Sequence, residues 1–197
     1  MIAHHQYKPK DKVSPFALTF NEDVHICVYK LDFDANLLYE FLMNEETYVD
    51  DNLFLTYSGH HLIDPIRNQL LTNISHYVKM THTMVEKNLL LKCWCNVIRE
   101  GEHIEEHSHN LGPYAYLSSQ IFVKGYDDNT TTKFTITNSK EELYVKDNSG
   151  ELIIFPAWLP HGTSVYKGQQ PRIVLGVDIL PKRFYDEIEN KDSFYSH

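Results

Sequence analysis

From residue 89 to residue 180 this chain of 197 residues reads as one strand after another, and that run constrains its fold more than any other feature. LLLKCWCNVI, the stretch from Tyr114 to Lys124, TTKFTIT, ELIIF and RIVLGVDIL are each rich in aliphatic, β-branched or aromatic residues. Turn signals separate them: Asp127-Asp128-Asn129, Asp147-Asn148-Ser149-Gly150 and Lys167-Gly168. Short strands at this spacing predict a sandwich or barrel of jelly-roll type. Thirteen Tyr and ten Phe fit a β-rich interior.

The residues before this run read differently. Positions 16–31 alternate enough to predict two strands around a turn at Asn21-Glu22-Asp23. Asp34 is placed to cap a helix carrying Leu37, Leu38, Phe41 and Leu42 at helical spacing. Asp64-Pro65 is a stronger start signal, with Asp at the cap and Pro at the first helical position. Ile66, Leu70, Ile74, Tyr77, Val78 and Val85 follow as one apolar stripe, which predicts a long helix packed on a sheet. No repeat, low-complexity tract or Pro/Gly-rich linker divides the chain. The expectation is one domain over 1–197. It has an N-terminal strand-and-helix extension (1–88), a jelly-roll core (89–180) and a short helix with a polar tail (181–197).

Composition narrows the function. Apolar residues make up 42%, enough for a packed core. A formal charge of −9 makes the chain a poor general binder of nucleic acid or anionic membrane. No run of about twenty apolar residues is present to span a bilayer. The opening MIAHHQYKPKDK has no signal-like apolar stretch, so a cytoplasmic setting is expected. Cys93 and Cys95 share a face of one strand, too close along it for an easy disulfide, and read as small apolar fillers rather than a metal or redox pair.

There are twelve histidines. His4, His5 and His197 are terminal, and His60, His61, His76 and His82 fall in or beside the helical part; surface or satisfied-core roles account for these. EGEHIEEHSHN differs. His107 and His109 are two apart between strands, so their side chains repeat about every 6.5 Å on one face. Imidazoles so placed can converge on an ion at about 2.1 Å. Gly101, six residues before His107, offers a turn into the segment. Far along the chain, in GELIIFPAWLPHGT, a strand ends at Phe155-Pro156 and a tight loop delivers His161. Two neighbours on one strand reach only one side of an ion, and His161 from another strand closes the site.

Gly-x5-His-x-His followed by Gly-x5-Pro-x4-His, here Gly101 to His109 and Gly150 to His161, resembles the two motifs of the cupin superfamily. More closely, the chain resembles a branch of the Fe(II)- and 2-oxoglutarate-dependent oxygenases often met in bacteriophage and bacterial genomes. The resemblance runs over roughly residues 60–180, through CWCNVI, Gly101, HSH, LSSQIFVKG, GELIIFPAWLPH and Arg172; FPAWLPH is its most specific piece. It implies a double-stranded β-helix, with His107, His109 and His161 as metal ligands and Fe(II) and 2-oxoglutarate as cofactors. It also implies that Arg172, eleven positions after His161, binds the far carboxylate of 2-oxoglutarate, a group its planar fork matches. Asn96, beside Trp94, is a second candidate for holding 2-oxoglutarate. The activity implied is hydroxylation of a C–H bond in a small-molecule or peptide substrate.

The chain departs from the family at one position. His109 stands where most of these oxygenases place a carboxylate. Such a set also suits Zn²⁺, Ni²⁺ or Mn²⁺. A second register, His103-x-Glu105, would restore the usual His-x-carboxylate pattern. Arg172 also has a structural reading, as the partner of Asp178, which shares its parity on the last strand. Tyr114 and Tyr116 are placed to wall the pocket or to pack in the core. Two other readings remain open: a cupin-type metalloprotein that does not use 2-oxoglutarate, and a non-catalytic jelly-roll binding module. Jelly rolls of this kind often dimerise through added strands, so a homodimer is a further expectation.

Overall fold

A computed structural model describes residues 1–7, 23–44, 60–81, 89–109, 117–125, 130–136 and 141–181. The strands are β1 (Ala3–Tyr7), β2 (Val24–Lys30), β3 (Leu89–Ile98), β4 (Leu117–Lys124), β5 (Thr131–Ile136), β6 (Glu141–Lys146), β7 (Glu151–Pro156), β8 (His161–Thr163) and β9 (Arg172–Pro181). The helices are α1 (Ala35–Asn44), a 3-10 helix (His60–Ile66) and α2 (Arg67–Thr81). One sheet has six strands in the order β1-β2-β7-β4-β9-β3; a smaller one runs β6-β5-β8. All the pairings are antiparallel, as in a jelly roll.

Strand alternation divides the large sheet into two faces. On one, Cys93, Cys95 and Val97 of β3 join Ile173, Leu175, Val177 and Ile179 of β9 in a cluster that the helices cover with Leu38, Leu42, Ile66, Leu70, Ile74 and Tyr77. Cys93 and Cys95 are buried fillers there, and burial pushes the Cys93 thiol up to about 12. The other face meets the small sheet through Phe122, Ile153, Phe155 and Val174, opposite Phe134 and Ile136. This inward face carries the site. On β9 it presents Arg172, Val174, Gly176 and Asp178, and the register sets Ile98, Asn96, Trp94 and Lys92 of β3 beside them.

The N-terminal part differs from expectation in three ways. First, β1 and β2 are strands of the large sheet itself, not an extension packed on it. The partners of β2 are β1 and β7; residues 16–22, expected to hold its hairpin partner, lie outside the described residues. Second, Asp34 does cap α1, accepting the N–H of Asn36 at 2.9 Å and of Leu37 at 3.1 Å, but only Leu38 and Leu42 are buried. Leu37 is 67% exposed and Phe41 36% exposed, because the core covers a narrower arc of the helix than its apolar residues span. Third, Asp64 and Pro65 lie inside the 3-10 turn, so the α-helix starts two residues late, at Arg67. Its stripe from Ile66 to Val78 is buried as read; Val85 falls outside the described residues.

Two strands carried no clear signal. β6, EELYVK, is too polar for its alternation to stand out, and β1 is a run of polar and His residues at the chain's start. Asp127-Asp128-Asn129, the LGPYAY loop with Tyr114 and Tyr116, and the tail from 182 lie outside the described residues. No described helix is long and apolar enough to cross a membrane.

Candidate metal centre

His161 opens β8 and is 1% exposed. Phe155 meets its ring edge-on at 4.7 Å and Phe134 lies 6.1 Å away. Those two rings and the tight turn in which Leu159 N–H donates to Pro156 O hold the imidazole in one place. Gly101 turns the chain toward it with a φ of +86°, a conformation that favours glycine. The segment after Gly101 then runs beside β8: Thr163 N–H donates to Ile104 O at 3.0 Å, and His107 and His161 exchange backbone hydrogen bonds of 2.9 and 2.8 Å. His109 N–H donates to Ala157 O at 2.9 Å.

The His-x-His step is therefore an isolated bridge followed by extended chain, not a regular strand. The two imidazoles do not stand a strand repeat apart. Their Nε2 atoms are 3.1 Å from each other. One ligand atom from each of His107, His109 and His161 lies within 4.8 Å of the others.

The other side of each ring explains this convergence. His107 Nδ1 lies 2.8 Å from Glu105 O, and His161 Nδ1 lies 2.9 Å from Leu159 O. His109 Nδ1 lies 2.6 Å from the Asp178 carboxylate. A carbonyl and a carboxylate can only accept, so each Nδ1 carries the proton and each neutral ring turns an Nε2 lone pair inward. His161 Nε2 is buried and has no hydrogen-bond partner among the described residues. Two lone pairs facing each other at 3.1 Å repel unless a cation lies between them. Metal–nitrogen bonds of about 2.1 Å at roughly right or tetrahedral angles set nitrogens about 3.0–3.4 Å apart, which brackets that distance. The residues fit a metal ion.

Burial pushes His161 down to about 3, with His107 adding to the shift, and burial lowers His107 as well. Burial therefore favours the neutral, ligating form of both rings. Burial grades from His161 through half-buried His109 to exposed His107, so the centre opens on the His107 side.

His109, which stands where a carboxylate was the expected ligand, is the most heavily braced. Its contact with Asp178 is nearly dry, with side chains 11% and 7% exposed. Ser118 Oγ stands 3.2 Å from the same nitrogen. The Trp94 ring lies 5.3 Å from His109, over Gly176, where a Cβ would sit 2.3 Å from the indole. Negative charge thus stands one hydrogen bond removed from the point where the histidines converge, and a carboxylate is a common outer partner for a ligating histidine.

Asp178 is consequently not the partner of Arg172. Arg172 begins β9, is 1% exposed, and places Nη2 2.5 Å from Asp147 Oδ2, with the Phe122 ring under its guanidinium at 5.7 Å. Parity alone favoured Asp178, but six strand residues separate it from Arg172, about 20 Å. Asp147, from the turn after β6, reaches across from the small sheet. With Nη2 engaged by Asp147, Arg172 Nε and Nη1 have no hydrogen-bond partner among the described residues. Asn96, between Arg172 and Asp178 on the inward face, is 7% exposed, and its Oδ1 is likewise buried without such a partner. These buried donors and this acceptor fit a polar ligand between the guanidinium and the histidines. His103 and Glu105 are exposed and line a shallow outer groove with Lys133 and Thr163, outside the histidine cluster.

Asp178 and Asp147 are the carboxylates beside the candidate site residues that sequence reading missed or misassigned. A lone acid inside an apolar strand was the available signal for Asp178. Asp147 was hidden in DNSG, where an Asp needs only a turn to explain it.

Three solved structures share this architecture. A prolyl-4-hydroxylase from Pseudomonas putida matches with a TM-score of 0.56 and 13% identity, over 79% of this chain and 91% of that one. A 2OG-Fe(II) oxygenase family oxidoreductase from Burkholderia pseudomallei matches at 0.59 and 12%, over 79% and 84%. A prolyl hydroxylase from Trichoplax adhaerens, solved with a hypoxia inducible factor peptide, matches at 0.61 and 10%, over 80% and 84%. The chain has the fold of the 2OG-Fe(II) oxygenases. No family model and no curated protein matches its sequence. At these identities the oxygenase likeness is one of fold, and the expected double-stranded β-helix is the observed architecture.

Proposed function

We propose that the chain is a non-haem oxygenase that uses Fe(II) and 2-oxoglutarate to hydroxylate a small-molecule or peptide substrate. One observation carries the reading: in a fold shared with such oxygenases, three histidines each engage Nδ1 with an oxygen acceptor and turn Nε2 toward a common point. His107, His109 and His161 would hold the metal. Asp178 orients His109 and supplies charge to a ligand set that has no carboxylate. Arg172 would receive the far carboxylate of 2-oxoglutarate, and Asn96 stands between that end and the histidines. When bound, the metal supplies oxygen activation at the expense of the 2-oxo acid. The protein's part is to hold the ligands, exclude water behind His161 and leave the His107 side open.

Anaerobic titration of Fe(II) and 2-oxoglutarate into the purified chain tests this reading. The expected result is a weak visible charge-transfer band that needs both components, followed by succinate formation once oxygen is admitted. Metal binding with neither band nor succinate would contradict it.

A second reading, a cupin-type metalloprotein that does not use 2-oxoglutarate, has one observation in its favour: Arg172 already has a carboxylate partner in Asp147. The same titration separates the two.

A further inference from the structure

We propose that Asp147 is a specificity-determining residue: by holding the Arg172 guanidinium in a buried ion pair, it reduces what this chain gains from a second carboxylate on a 2-oxo acid. The inference rests on the reading of Arg172 as the cosubstrate's carboxylate receptor and deepens it.

Asp147 and Arg172 are 0% and 1% exposed, and their charges meet at 2.5 Å. The small sheet holds the carboxylate firmly. Asp147 N–H donates to Thr130 O at 3.2 Å, and its Oδ1 accepts from Thr132 Oγ1 at 3.1 Å. Thr132 is itself buried and lies 3.2 Å from Gln120 Oε1 on the large sheet. The carboxylate is thus fixed to the wall, not carried on a mobile side chain.

An arriving ligand carboxylate meets two facts. Donors remain, because Nε and Nη1 have no hydrogen-bond partner among the described residues. Net charge does not, because Asp147 has already balanced the cation. Two carboxylates around one buried guanidinium leave an excess negative charge where the dielectric is low and like charges repel strongly. A buried, bidentate Arg–carboxylate contact ordinarily adds about a hundredfold or more to affinity. Here that gain shrinks, and a 2-oxo acid without the distal carboxylate competes on nearly equal terms.

The test compares 2-oxoglutarate with 2-oxopentanoate, which has the same carbon chain ending in a methyl group. Both are titrated calorimetrically and anaerobically into the Fe(II)-loaded wild-type chain and into Asp147→Asn. The expected wild-type preference for 2-oxoglutarate is below about tenfold, and Asp147→Asn widens it at least about tenfold by tightening 2-oxoglutarate alone. A wild-type preference of about a hundredfold or more, or an unchanged ratio in the variant, overturns the role of Asp147 and leaves the oxygenase reading standing. If neither compound binds either protein while Fe(II) does, both fall. Should Asp147→Asn not fold, the wild-type ratio decides alone.

Discussion

The two ends of the inward face of β9 are built on different principles. At the Asp178 end every protein-side demand is met: three Nδ1 groups have acceptors, and the three Nε2 atoms are left to converge. At the Arg172 end the charge has a partner, but Nε and Nη1 have no hydrogen-bond partner among the described residues. One end is organised for a ligand that brings positive charge. The other is balanced in charge yet still in need of acceptors. The difference teaches that charge and hydrogen bonding can be satisfied separately, and that a site's selectivity follows from which of them is left open.

The largest expected effect breaks the Arg172 end. Arg172→Met strands the Asp147 carboxylate in the interior and should lower stability by about 3–5 kcal/mol, while Arg172→Met with Asp147→Leu recovers most of that loss. Urea denaturation measures both; a double variant as unstable as the single one would show that the pair is not the source.

At the other end, His161→Leu should weaken metal binding at least about a hundredfold, more than loss of an outer partner does. The metal-free protein should change little in stability, because removing a buried nitrogen without a partner beside Phe134 and Phe155 offsets the loss of the Nδ1–H donated to Leu159 O. Calorimetric metal titration and thermal unfolding read the two effects separately. Asp178→Asn should cost about 10–100-fold in metal affinity, since it removes the charge on His109 Nδ1 but keeps an acceptor there. A change under about twofold would show that Asp178 is only a packing element.

Acid acts on the histidine end through His161. His161 has a folded value near 3 against an ordinary 6.5, so the unfolded chain binds its proton more readily. Its contribution to stability is complete above about pH 6.5 and is lost as pH falls toward 3. At pH 5.5 the metal-free protein should be less stable on the order of 1 kcal/mol from this residue alone, and His161→Leu should remove that part of the slope. The smallest effect is expected far from both ends: Leu37→Asn, on the exposed side of α1, should change stability by less than about 0.5 kcal/mol.

Much of this was legible in the sequence because strand period and spacing survive folding. The runs from LLLKCWCNVI to RIVLGVDIL became β3, β4, β5, β7 and β9, and His107, His109 and His161 were brought together. What stayed hidden depends on contacts between segments distant in sequence. Parity placed Arg172 and Asp178 on one face, correctly, but parity says nothing of distance along the strand. The actual partners, Asp147 for Arg172 and His109 for Asp178, come from other strands and turns. The outward turn of Leu37 and Phe41 is of the same kind, since helix spacing reveals an apolar arc but not how much of it the sheet covers.

If His107, His109 and His161 form one metal centre, metal stoichiometry must show it. Metal-free wild-type protein titrated with Fe(II) under anaerobic conditions should bind one ion per chain. His107→Ala, His109→Ala and His161→Ala, each folded by circular dichroism, should all lose that ion. Tight binding of one ion by any of the three variants would contradict the account.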